Sequence, residues 1–154
     1  MSFIKTKIPK GAILYTPRFP EKYKGDYPII CRSSYEETFC KWCDINPSIL
    51  RWSSETLEIL YYDPVTLKQR RYYPDFAINI KSNDDRDKIF IVEIKPYKET
   101  IPPSRSGRKS NKTKINESRT WATNLAKWTA ADSFCRKRGY QFKIITEKEL
   151  YENR

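Results

Sequence analysis

The run Ile89-Phe90-Ile91-Val92-Glu93-Ile94-Lys95-Pro96 constrains this chain more than any other segment. Its apolar residues fall on both faces of an extended strand, the pattern of a strand covered on both sides. A carboxylate and an ammonium nevertheless interrupt it two residues apart. Period-two alternation sends Ile91, Glu93 and Lys95 to one face and Phe90, Val92 and Ile94 to the other. Taken alone, a Glu-x-Lys of this kind is the solvated face of an edge strand. The four apolar residues before it, and Pro74-Asp75 upstream, favour a site.

The flanking segments supply the rest of the sheet. "DFAINI" (75–80) places Asp75, Ala77 and Asn79 on one face and Phe76, Ile78 and Ile80 on the other. Paired as a meander with residues 88–95, it gathers Asp75, Glu93 and Lys95 on one side near one end. Upstream, "TLEILYYD" and "LKQRRYY" join through Asp63-Pro64-Val65-Thr66 as a hairpin and precede that strand in the same meander. A first helix is predicted over Ser34 to about Ile45, stopping before Pro47. A second, from about 118 to 138, carries Trp121, Leu125, Trp128 and Cys135 at helical spacing and ends at Gly139. "YQFKII" follows as a strand, and Thr146 with Glu149 forms a capping box for a short last helix. Strand, long helix, strand implies a right-handed crossover, with residues 140–145 parallel to residues 89–95. The predicted architecture is an α/β fold, a mixed sheet flanked by helices in the order α-β-β-β-β-α-β.

Two segments stand outside this core. Residues 1–31 are rich in Pro, Tyr and Lys and read as an extended basic arm, leaving 32–154 as a single domain. Residues 97–117 read as a mobile basic loop, broken by Pro102, Pro103 and Gly107. Arg105, Arg108, Lys109, Lys112, Lys114 and Arg119 are opposed across 103–119 by Glu117 alone, and together they suit a clamp on a polyanion.

Composition narrows the chemistry. Thirty Lys and Arg against nineteen Asp and Glu leave a net charge of +11, the electrostatic footprint of a nucleic-acid partner. There is no histidine, which removes histidine triads, histidine-metal nucleases, zincins and C2H2 fingers. Hydrolysis must then run on carboxylates, lysine and a hard metal ion. Cys40 and Cys43 mimic a zinc CxxC but lie among Phe39 and Trp42 on a helix, so Cys31, Cys40, Cys43 and Cys135 read as buried reduced thiols. No apolar run reaches membrane-span length and no signal peptide is evident, so a cytoplasmic protein with no membrane partner is expected.

Magnesium binds through one or two carboxylates plus substrate phosphate, and Asp75 with Glu93 suits it, manganese being able to substitute. Lys95 can orient water or neutralise charge on the phosphate. A third acid comes from "RSSYEETF". Glu36 shares a helical stripe with Cys40 and Cys43, facing the sheet, whereas Glu37 pairs with Lys41 on the solvent side. Both also fit a plain capping role. Trp42, Trp121 and Trp128 read as core. Tyr61, Tyr62, Tyr72 and Tyr73 leave one of each adjacent pair facing outward, and Asn124 and Lys127 point toward the site or toward solvent equally well.

Pro74-Asp75, Glu93-Ile94-Lys95 and Glu36 on the preceding helix resemble the PD-(D/E)xK nuclease superfamily. "RSSYEETF", "YYPDFAINI" and "IFIVEIKP" are similar to stretches of the phage junction-resolving endonuclease and of TnsA-like transposon nucleases. The wider pattern, including "NESRTWATNLAKWTAADSFCRKRGYQFKIITEKEL", resembles the head completion nucleases of T-even-type tailed phages. The resemblance implies a restriction-endonuclease-like core and a DNA nuclease acting in late virion assembly, where heads join tails, with both endonuclease and exonuclease modes open. It implies Asp75, Glu93 and the Ile94 backbone carbonyl at the metal, Lys95 at the water and phosphate, and Glu36 completing the metal site or acting as base. The implied products are a 5′ phosphate and a 3′ hydroxyl. Implied partners are double-stranded DNA and phage head or neck proteins, in the host cytoplasm or at the head vertex of the virion. Two alternatives stay open: a non-catalytic DNA-binding or head–tail connector module on the same fold, and a structure-selective junction resolvase.

Overall fold

The computed structural model describes residues 8–84 and 86–152. Residues 1–7 of the expected arm, and Asp85 in the predicted "SNDDRD" turn, lie outside them. Eight strands and three α-helices follow the order β1 (Ile13–Tyr15), β2 (Ile29–Cys31), α1 (Ser34–Ile45), β3 (Ile49–Ser54), β4 (Ile59–Asp63), β5 (Lys68–Tyr72), β6 (Phe76–Ile80), β7 (Lys88–Ile94), α2 (Asn111–Arg138), β8 (Gln141–Ile145) and α3 (Glu147–Tyr151).

The central sheet has the order β3-β6-β7-β8. β6 and β7 pair antiparallel with Phe76 opposite Val92, and β8 joins β7 in parallel, as the crossover through α2 requires. The fold class is the expected one, a mixed sheet flanked by helices. Its strand inventory differs. β3 pairs antiparallel with β6 and was not foreseen, because a register shift between Ile49 and Arg51 breaks its alternation and Ser53 and Ser54 are buried polar positions. The β4–β5 hairpin forms a separate two-stranded sheet rather than the start of the meander.

Each face of the central sheet carries its own core. On one, Phe76, Ile78, Val92 and Ile94 pack with Phe39, Cys40 and Cys43 of α1 and with Trp52 of β3. The Phe39 and Phe76 rings meet at 4.8 Å, and full burial of each is worth about 1.5–3 kcal/mol. On the other, Tyr61 and Tyr72 of the hairpin pack with Trp128 and Ala131 of α2. Trp42, expected in the core, is instead exposed, its ring lying 5.4 Å from that of Phe39 at the outer edge of α1. All four cysteines are free and buried.

The described part of the segment before α1 lies on the domain. Ile29, Ile30 and Cys31 are buried, and β2 pairs with β1. Tyr15 Oη, Arg18 N and Phe19 N all donate to the Asp44 carboxylate near the end of α1, at 2.7, 2.6 and 3.0 Å. Lys22 Nζ donates to the carbonyls of Cys43, Asp44 and Asn46 at 2.7, 2.8 and 2.9 Å. These are the carbonyls a helix C-terminus leaves without partners, so a cation from the arm completes the cap.

Helix α2 also departs from expectation, starting seven residues earlier than the predicted 118. Ser110 caps it by accepting from Thr113 N at 3.2 Å, and Gly139 closes it in the left-handed conformation at φ 74°. Its first two turns face solvent and carry no apolar stripe, so no helical periodicity marks them. The expected 97–117 loop therefore shrinks to a short 3-10 turn (Tyr97–Thr100) and an exposed connection to residue 110.

Candidate active site

β6 and β7 bring the acids together through register. Phe76 opposite Val92 sets Asp75, one step out of β6, beside Glu93 on the face toward α2 and the hairpin. Pro74, buried and unable to donate, ends the ladder there, and the Asp75 carboxylate takes over a backbone group: Ile94 N donates to its Oδ2 at 2.7 Å. Glu93 is only 6 % exposed. Lys95 Nζ stands 3.9 Å from Glu93 Oε2, and Lys95 N continues the parallel ladder to the Ile145 carbonyl at 3.0 Å. Glu36 approaches from the first turn of α1, where Ser33 Oγ accepts from Glu36 N and a Glu36 oxygen accepts from Arg32 N at 3.1 Å. Its helix-capping contact and its place at the site therefore coexist.

The electrostatics mark this cluster as overfull of negative charge. Burial pushes the Asp75 carboxyl well above the usual carboxylate range, and the neighbouring Glu93 and Glu36 charges push it the same way. Burial raises Glu93, with Lys95 opposing. Burial raises Glu36 as well, against its contact with Arg32 N and the Arg32 charge. Three acids held in a water-poor corner with one adjacent ammonium are what a divalent cation relieves. Among the described residues no three acidic or thiol side chains close into a complete ligand set. Asp75 and Glu93 offer a carboxylate pair, and the hard oxygens of such a pair fit magnesium, which keeps waters and substrate phosphate in its remaining positions.

Sequence reasoning left several neighbours open or unnamed. Lys127 projects from α2 over the rings of Tyr61 and Tyr72, 5.9 and 5.7 Å from their centroids. Burial lowers its pKa while the Glu93 charge acts to raise it. The Tyr72 hydroxyl is buried without a well-formed hydrogen bond, yet burial and the Glu93 charge hold it deprotonation-resistant. Only the rotation of α2 about its axis shows that Lys127 faces the site. Arg32 forms an ion pair with Glu55, a buried residue in the left-handed region at φ 56° whose N–H donates to the Asp75 carbonyl at 3.0 Å. A non-glycine residue in that region is strained, and here the strain sits one hydrogen bond from Asp75.

The basic residues divide. Arg105, Lys114 and Arg119 line one shallow groove beside the hairpin turn at Val65. Lys109 is engaged by Glu117, Nζ to Oε1 at 2.9 Å. Arg108 and Lys112 are exposed and join neither arrangement.

A mixed sheet of this order flanked by helices has the arrangement of a restriction-endonuclease-like fold. Residues 46–147 match the TnsA-like endonuclease N-terminal family, and the chain belongs to that nuclease family. It is also 41% identical over 140 residues to the head completion nuclease of Enterobacteria phage T4, an alignment that spans 88% of this chain and 91% of the relative. No helix among the described residues is long and apolar enough to cross a membrane.

Proposed function

We propose that this nuclease is a magnesium-dependent DNA endonuclease of phage head completion, with Asp75, Glu93, Lys95 and Glu36 as its working groups. The observation that carries the reading is the convergence of these four side chains from three separate elements into one corner where every acid is raised. Asp75, Glu93 and the Ile94 carbonyl would hold the ion, with manganese able to replace magnesium. When bound, it polarises a phosphate oxygen and lowers the pKa of a coordinated water. Lys95, anchored beside Glu93, orients the attacking water and stabilises negative charge on the phosphate in the transition state. Glu36 would accept the proton of that water or complete the metal site. Water forms a new bond to phosphorus as the P–O3′ bond breaks, and the departing 3′ oxygen takes up a proton from solvent, leaving a 5′ phosphate and a 3′ hydroxyl.

Arg105, Lys114 and Arg119, with the remaining basic residues of the connection, supply the duplex contacts. The relative's name supports a role in head completion, which would place the protein in the host cytoplasm or at the head vertex, near head or neck proteins. The test is plasmid cleavage in magnesium or manganese by wild type, Asp75→Ala, Glu93→Ala and Lys95→Ala. Cleavage by wild type alone is expected. Equal cleavage by wild type and Asp75→Ala removes the assignment.

A further inference from the structure

Between the connection that follows β7 and the N-terminal half of α2 lies a cleft of about 550 Å³, a volume typical of sites for small organic molecules. Ile101 and Pro103 form one wall and Trp121 of α2 stands in the other. Asn124 also lines it. Asn124 is 7 % exposed, yet its side-chain amide has no hydrogen-bond partner among the described residues. Its amide atoms are not among the buried polar atoms that lack a partner, so they open into the cleft and stand free to donate to and accept from a ligand. Lys98 and Lys109 add ammonium groups to the lining beside Glu99 and Glu117, Lys109 being paired with Glu117 and Lys98 left as the cation for a phosphate.

An indole face, an amide offering both donor and acceptor, and the nearby Lys98 ammonium match one kind of ligand. A nucleotide has an aromatic base to stack, an edge to hydrogen-bond and a phosphate to neutralise. The location ties the cleft to the catalytic corner. Lys98 follows Lys95 by three residues, and Asn124 precedes Lys127 by one turn of α2. A base still paired in a duplex cannot enter such a cleft, whereas an unpaired one can.

We propose that this cleft binds an unpaired nucleotide of the DNA strand being cut, so that the protein selects frayed, tailed or single-stranded segments over intact duplex. The proposal rests on the nuclease reading above, but its test reads binding. Fluorescence anisotropy in metal-free buffer compares a blunt duplex with the same duplex carrying an oligothymidylate tail. Wild type is expected to prefer the tailed probe by about tenfold or more, the effect of stacking one or two bases. Trp121→Leu removes the indole and Asn124→Leu replaces the amide with an apolar isostere, and each should bring the ratio of affinities close to one. Trp121 packs edge-on against Trp128 at 6.0 Å, so its variant risks the fold. Asn124→Leu keeps the side-chain volume and breaks no hydrogen bond to the described residues, so a melting temperature close to wild type should accompany its loss of preference. Equal affinity of wild type for the two probes overturns the proposal, as does a ratio retained in both variants. A tail preference without metal-dependent cleavage would sink the nuclease reading and keep the cleft, and cleavage without the preference would do the reverse.

Discussion

Replacing Asp75 by Asn should make the metal-free protein more stable at pH 8 while abolishing cleavage. The substitution keeps the shape and the acceptor for Ile94 N, and it removes a negative charge from beside Glu93. In the native state Asp75 titrates above the usual carboxylate range, whereas in the unfolded chain it titrates near its ordinary value of about 4. Between those values the unfolded chain binds fewer protons than the native one, so wild-type stability falls as pH rises through that window. Burial and the like charges of Glu93 and Glu36, beyond what the bond from Ile94 N offsets, cost the ionised carboxylate about 1–3 kcal/mol. In a domain of this length about 3 °C of melting temperature accompanies each kcal/mol, so the Asp75→Asn variant should melt about 3–9 °C higher at pH 8. At pH 4 the gap should close to about 2 °C or less, because Asp75 is protonated in the native wild type and about half protonated in the unfolded chain. Magnesium narrows or offsets the gap: at a hundred times its dissociation constant it stabilises wild type by about 2.7 kcal/mol and should leave the variant unmoved. The assay is thermal unfolding at pH 4 and pH 8, with and without magnesium. A lower midpoint for the variant at pH 8 without metal, or equal magnesium stabilisation of both proteins, refutes the reasoning.

Two further outcomes are expected. The logarithm of the duplex affinity should fall linearly with the logarithm of salt concentration, and Arg105→Ala with Arg119→Ala should reduce the slope by about 0.9 for each phosphate no longer neutralised, read by anisotropy across a salt series. Lys22→Met should lower the melting temperature by about 3–9 °C, because three carbonyls at the end of α1 are left without a charged donor, each net hydrogen bond being worth about 1 kcal/mol. An unchanged midpoint in that variant would show that Lys22 contributes nothing to the end of α1.

The acid-and-lysine pattern was legible because a strand has a strict period of two. Once Phe76 and Val92 were recognised as core-facing, Asp75 and Glu93 had to share the opposite face, and the register places them so. The parallel β8 followed from the handedness of crossovers. What the sequence hid lacks a period. β3 is bulged between Ile49 and Arg51, β1 and β2 are three residues each among prolines, and the first turns of α2 are polar on every side. The detached hairpin was hidden for a different reason. Tyr61 and Tyr72 alternate as sheet residues do, but they pack against Trp128 of α2. Glu36 was readable from its stripe with Cys40 and Cys43, whereas Lys127 and Asn124 needed the rotation of a 28-residue helix that residues far from the site determine.

The bond from Ile94 N to the Asp75 carboxylate ties sheet assembly to reactivity. Sliding β6 by a single residue along β7 would flip its side chains to the other side of the sheet and carry Asp75 away from Glu93. On the proposed assignment, a misaligned chain would bring no acid pair together and would have no cutting centre to offer.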